Sequence, residues 1–152
     1  MHPTPDIEIL LFRPEDQAAA RALILAGLAE RWGALDESRN PDLRDIGATF
    51  DAGTFLCVWR AGVLIGTGGW VPRADGVVEI VRMSVAREAR RSGIGRRIAL
   101  ALIAAARQRG ARRVVLETTS TWADAVAFYT GLGFTETHRQ DGDTYFGLDL
   151  VR

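Results

Sequence analysis

Cysteine is nearly absent from the 152 residues: Cys57 stands alone, so no internal disulfide can form. Its neighbours Phe55, Leu56, Val58 and Trp59 are apolar, which marks a small buried hydrophobe rather than a reactive thiol. Histidine is almost as scarce. His2 and His138 lie far apart, no Cys/His cluster has metal-ligand spacing, and no metal is expected. Net charge is missing too: 19 basic residues balance 19 acidic ones, so no global field draws nucleic acid or an acidic membrane. No apolar run is long enough to span a bilayer. Met1-His2-Pro3-Thr4-Pro5-Asp6 lacks the basic-then-apolar pattern of a signal peptide. A cytoplasmic address is expected by elimination. The 47% of hydrophobic and 25% of charged residues are ordinary for a globular protein. A single domain over residues 1–152 is expected, large enough to bury a core unaided.

Periodicity gives the order of elements. Ile7 to Phe12 reads as a strand. Pro14-Glu15-Asp16 opens a helix that runs over Ala18 to Arg31, carries Leu23, Ile24 and Leu28 on one face, and stops at Gly33. Ala34 to Ala52 is polar and irregular, with a turn at Asn40-Pro41-Asp42 and a short helical piece within Leu43 to Phe50. Thr54 to Trp59, Val63 to Val71 and Val77 to Val85 read as an antiparallel meander. A helix is predicted from about Gly93 to Gln108, with Ile98, Leu102 and Ala105 on one face. Arg113 to Glu117 is short and apolar, as expected of a strand covered on both faces. A helix at Ala123 to Leu132 and a terminal hairpin, Phe134 to His138 with Thr144 to Leu150, complete the chain. The sum is an α/β (α+β) fold: a mixed, mostly antiparallel seven-stranded sheet flanked by about four helices.

The most informative stretch follows Val85. Arg87, Arg90 and Arg91 precede Gly93-Ile94-Gly95, and Arg96 and Arg97 fall in the first helical turn. Cations at a helix N-terminus are unfavourable unless an anion arrives. Free amides, glycines and guanidinium groups there make a phosphate or pyrophosphate site. The plainer alternative is a glycine-containing turn with solvated arginines. No Lys-Ser or Lys-Thr follows the glycines, so this is not a P-loop, and Ile98 stands where a dinucleotide fingerprint needs a third glycine.

Two motifs together resemble the GCN5-related N-acetyltransferase (GNAT) superfamily. One is Met83-Ser84-Val85 followed by Arg90-Arg91-Ser92-Gly93-Ile94-Gly95. The other is Ala125-Val126-Ala127-Phe128-Tyr129-Thr130-Gly131-Leu132-Gly133-Phe134. The resemblance implies an N-acetyltransferase using acetyl-coenzyme A as co-substrate, without a metal. It implies that Met83, Ser84 and Val85 pair through their backbone with the pantetheine arm. Arg90 and the amides from Arg91 through Ser92, Gly93, Ile94 and Gly95 to Arg96 would hold the pyrophosphate, with Phe128 also at the cofactor. The thioester would lie where strands splay, its carbonyl polarised by the Met83 amide. Where many relatives carry Asn, this chain has Trp122, which would pack on the cofactor instead. A homodimer is expected by analogy alone.

Acyl transfer needs a deprotonated amine and a protonated leaving thiolate. Strand alternation would set Glu79, Val81, Met83 and Val85 on one face, leaving the Glu79 carboxylate among apolar neighbours and suited to act as base. It matches a strand glutamate with that role in some members. The alternatives are a water path, or a structural glutamate paired with Arg82 or Arg113. Tyr129 matches the tyrosine that protonates the thiolate in relatives; otherwise it is a core aromatic. For the acceptor, a small-molecule or peptide amine, the resemblance points to Glu30, Arg31, Trp32, Asp36, Glu37, Asn40 and Asp42, which would otherwise form a polar surface loop. A non-catalytic acyl-coenzyme A-binding module is the alternative to an enzyme.

Overall fold

The computed structural model describes residues 6–33 and 40–150. Seven strands form one sheet: β1 (Ile7–Leu11), β2 (Thr54–Arg60), β3 (Val63–Ala74), β4 (Val77–Val85), β5 (Arg113–Thr119), β6 (Thr135–Gln140) and β7 (Asp143–Asp149). Four helices accompany it: α1 (Gln17–Trp32), α2 (Ile46–Thr49), α3 (Ile94–Gln108) and α4 (Ala123–Gly131). The strand order is β1-β2-β3-β4-β5-β7-β6. All neighbours are antiparallel except β4 and β5, which α3 joins as a parallel crossover. Two-residue turns make the meander and the last hairpin. Ala61-Gly62 (φ 51° and 77°) and Asp141-Gly142 (φ 53° and 85°) both take the positive-φ form that suits strand twist.

The sheet divides two cores. On one side Ile98 and Leu102 of α3, both fully buried, pack with Trp70, Val78, Ile80, Val114, Leu116 and Phe146. Each such aliphatic side chain contributes roughly 1.5–3 kcal/mol on burial. On the other side α1 and α2 bring Ala20, Ile24, Leu25 and Ile46 onto Phe55, Cys57 and Val71. The face of α1 is therefore rotated from the sequence reading: Leu25 is buried, while Leu23 is only partly buried against the first core.

Two departures from regularity position the site. The first is a fork. β4 and β5 pair only at Val77↔Arg113, Val78↔Val114 and Glu79↔Val115, so among the described residues Ile80–Val85 lacks a strand neighbour on that side. The second is a bulge in β4. Thr67 pairs with Ser84 and Gly69 with Val81, so β4 carries one extra residue, and Arg82 within it has φ 57°. The strand readings held in type and place, with one correction: β5 is covered on one face only. Val114 and Leu116 are buried but Glu117 is exposed, because the core beneath α1 and α2 draws its strand residues from β2, β3 and β4.

Candidate active site

The turn between β4 and α3 presents unused backbone donors. Arg91 (φ 64°) and Gly93 (φ 81°) are left-handed, and Gly93 is the N-cap of α3. The Arg97 amide donates to the Gly93 carbonyl at 3.1 Å. Among the described residues, no backbone hydrogen bond outside the helices and strands takes an amide from Arg91 to Arg96. Arg91, Arg96 and Arg97 are exposed beside them, and the first turn of α3 holds no acid. Such a helix start is a ready anion site. Two anchors hold it: Ile94 is buried, and Ser92 Oγ donates to the Ala89 carbonyl at 2.5 Å. Gly95 lies against Phe128, since a Cβ there would sit 3.5 Å from Phe128 Cζ. Arg90 is committed elsewhere. It donates from Nε to the Val85 carbonyl (3.1 Å) and from a terminal nitrogen to Glu30 Oε2 (2.7 Å), a bond that holds the Glu30 carboxyl below its usual range.

At the fork the bulge re-aims side chains. The expectation that Glu79, Val81, Met83 and Val85 share a face fails, because the extra residue at Arg82 shifts the alternation by one. Met83 and Val85 pack on the α3 side with Ile80, whereas Val81 packs beneath α1 and α2. Gly68 makes room: a Cβ there would lie 2.6 Å from both Met83 Sδ and Ile98 Cγ2. Arg82 is clamped in its left-handed conformation. Its guanidinium donates to both Asp42 oxygens (2.8 and 2.7 Å) and to Asn40 Oδ1 (3.0 Å), and its carbonyl accepts from Thr67 Oγ1 (3.0 Å). Asn40 and Asp42 thus sit behind the bulge. Glu79 is paired, 2.5 Å from Arg73 Nε, and not with Arg82 or with Arg113, which bonds Asp149 instead. Four residues of strand separate it from Met83, roughly 13 Å at a rise of about 3.3 Å per residue.

Tyr129 is buried against Phe128, Phe134 and Phe146, with centroids 5.0, 5.9 and 6.1 Å away, and burial pushes its phenol up to about 12. Trp122 caps α4 and meets Trp32 at 5.3 Å, while the Arg31 guanidinium lies 4.3 Å over its ring. Arg31 also donates to both Asp124 oxygens (3.0 and 2.7 Å), which lowers that carboxyl. The last turn of α1 therefore fastens the β4–α3 turn through Glu30 and the start of α4 through Arg31 and Trp32. These pairs join residues 60 and 93 apart in sequence, and no local signal marks them. Asp36 and Glu37 lie outside the described residues.

Sequence reasoning missed three neighbours of Glu79, namely Glu117, His138 and Tyr145. On the sheet face away from α3, Glu79, Glu117, His138 and Tyr145 line a cavity of about 270 Å³. His138 and Tyr145 stack at 4.3 Å and 8°. The Tyr145 hydroxyl donates to Glu117, which raises the phenol to about 12. The Asp141-Gly142 turn fixes the hairpin register that places His138 and Glu117 on either side of Tyr145.

Residues 19–134 match the model of the acetyltransferase (GNAT) family. A probable N-acetyltransferase camello of Xenopus tropicalis is 33% identical over 125 residues, covering 76% of this chain and 57% of that protein. The chain spans about half the length of the curated relatives it matches. Among solved structures, an acetyltransferase of GNAT family from Staphylococcus aureus Mu50 superposes with a TM-score of 0.89 at 20% identity, over 96% of this chain and all of that one. The paia N-acetyltransferase of Thermoplasma acidophilum, in complex with coenzyme A, gives 0.82 at 16% identity over 95% and 99%. At these identities the superpositions speak to the fold.

Proposed function

The chain belongs to the acetyltransferase (GNAT) family, and from that premise we propose that it moves the acetyl group of acetyl-coenzyme A onto a primary amine. The observation that carries this reading is the turn 91–96, whose amides no turn or loop bond uses among the described residues, next to a β4 edge that none of those residues pairs with. The pyrophosphate suits the amides and the exposed Arg91 and Arg96; an extended arm suits the open edge at Met83, Ser84 and Val85. The co-substrate supplies an activated acyl group as a thioester.

The chain's own residues then have three tasks. The Met83 amide, next to the bulge, donates to the acyl oxygen as negative charge develops there. A base takes a proton from the amine as the carbon–nitrogen bond forms. Glu79 serves through intervening water, given its distance along the strand and its bond to Arg73. Tyr129 gives its proton to the sulfur as the carbon–sulfur bond breaks and regains one from solvent. Its hydroxyl makes no hydrogen bond among the described residues, and its phenol is neutral at any physiological pH.

Calorimetry with coenzyme A and acetyl-coenzyme A, followed by thiol release over a panel of amines, tests the reading. Binding and amine-dependent thiol release are expected, and Gly93→Ala, which forces a side chain onto a φ of 81°, should weaken binding at least ten-fold. Binding without turnover on any amine would make the chain a coenzyme A-binding module. No binding to folded protein would end the reading.

A further inference from the structure

The cavity on the sheet face away from α3 has a charge and shape of its own. Glu79 is neutralised by Arg73, and Arg113 by Asp149. That leaves Glu117, for which no ion pair is found among the described residues; it accepts only from the neutral Tyr145 hydroxyl. One net negative charge thus faces the cavity. Beside it stands a flat wall: the His138 ring lies parallel to Tyr145, steadied by a 3.0 Å hydrogen bond between Nδ1 and Thr137 Oγ1. Thr137 Oγ1 in turn donates to the Tyr145 carbonyl at 3.2 Å. The floor is Val115, the last residue of β5 to pair with β4 before the fork opens. At about 270 Å³ the cavity lies just below the ~300–1,000 Å³ usual for ligand sites, so its occupant is small.

We propose that this cavity seats a small aromatic primary ammonium, with Glu117 taking the charged nitrogen and the His138–Tyr145 stack taking the ring. A carboxylate retains lone pairs after accepting one bond, and an ammonium brings three donors. A flat aromatic wall adds both stacking and attraction for the cation. A neutral ring would leave Glu117 without a counter-charge, and an aliphatic amine would leave the wall unused. That the bound amine is the acyl acceptor rests on the transfer reading above. That it binds does not.

Benzylamine is the probe, with benzyl alcohol and propylamine as controls, followed by proton NMR. The chain has two histidines, so the His138 ring signals are assigned by their loss in His138→Gln. Benzylamine should shift those signals saturably, at least ten-fold more tightly than benzyl alcohol or propylamine. Glu117→Gln, nearly isosteric, should weaken benzylamine at least ten-fold and leave coenzyme A affinity within two-fold by calorimetry. Tyr145→Phe keeps the wall and should keep most of the affinity, which guards against a misfolded first variant. Equal shifts with benzyl alcohol, no shift at all, or an undiminished response in Glu117→Gln would overturn the proposal. Coenzyme A binding without a benzylamine response removes this site alone; the reverse removes the transfer reading and leaves the site standing.

Discussion

A phenol enclosed by three aromatic rings has little choice of charge state. Burial holds the Tyr129 proton up to about 12, well above its ordinary 10, so at neutral pH the hydroxyl keeps a proton to donate. That suits a group whose task is to meet a departing thiolate. Tyr129→Phe keeps the ring and the core packing and removes only that proton. Turnover is expected to fall about hundred-fold, the lower end of the range for general acids, while coenzyme A affinity stays within two-fold. The phenol should also add no alkaline limb to the kcat profile below about pH 11. Stopped thiol-release assays from pH 7 to 10.5 on both proteins check this. Full activity in the phenylalanine variant would return Tyr129 to the core as packing alone.

At the scale of elements, the fork works because β4 changes face halfway along. The bulge turns Met83 toward α3 and leaves Glu79 and Val81 on the opposite side, and Arg82 must hold φ 57° for this to happen. A positive φ costs an arginine on the order of 1–2 kcal/mol, and the bidentate pair with Asp42 offsets it. With side-chain exposures of 20% and 32%, that pair lies between surface pairs of ~0–1 kcal/mol and buried ones whose breaking costs ~3–5 kcal/mol. Asp42→Ala should therefore cost about 1–2 kcal/mol, a Tm drop of several degrees at ~2–4 °C per kcal/mol. It should lower kcat while sparing coenzyme A affinity, because the turn at residues 91–96 does not depend on Asp42. Asp42→Glu should recover part of both. A melting curve and a kcat unchanged in Asp42→Ala would show that the bulge holds itself.

The strands on either side of that bulge were legible in the sequence because apolar alternation and Gly turns are local signals: Val77–Val85 was read to the residue. The turn at Gly93 was legible for the same reason. The bulge was not, since Arg82 carries no glycine-like permission for its φ and is held by residues 40 positions away. The pairing of Glu79 with Arg73, rather than Arg82 or Arg113, likewise follows from β3 running on to Ala74, three residues beyond its expected end. Alternation tells which residues share a face only until the first irregularity.

Over the whole molecule, the basic residues are all arginine; there is no lysine. Between pH 9 and 12, then, the only side chains that titrate are Cys57, Tyr129 and Tyr145. Cys57 is fully buried, and burial raises its thiol from 9 to about 12; Tyr129 moves from 10 to about 12 for the same reason. Both pKa values are raised on folding, so the native state holds protons that the unfolded chain releases first. The stabilisation is complete below pH 9 and is lost as pH climbs toward 12. At ~1.4 kcal/mol per unit the two groups amount to roughly 7 kcal/mol by pH 12, comparable with the ~5–15 kcal/mol that holds a typical domain together. Tyr145 is raised too, but it faces solvent and adds little. Thermal melts by circular dichroism should show Tm flat from pH 7 to about 8.5 and falling steadily above 9. Cys57→Ala, which removes the earlier of the two groups, should delay the fall by about one pH unit even though its Tm at neutral pH is lower. A Tm that stays level to pH 11, or an onset that Cys57→Ala does not move, would mean that these two groups ionise as readily in the folded protein as in the unfolded chain.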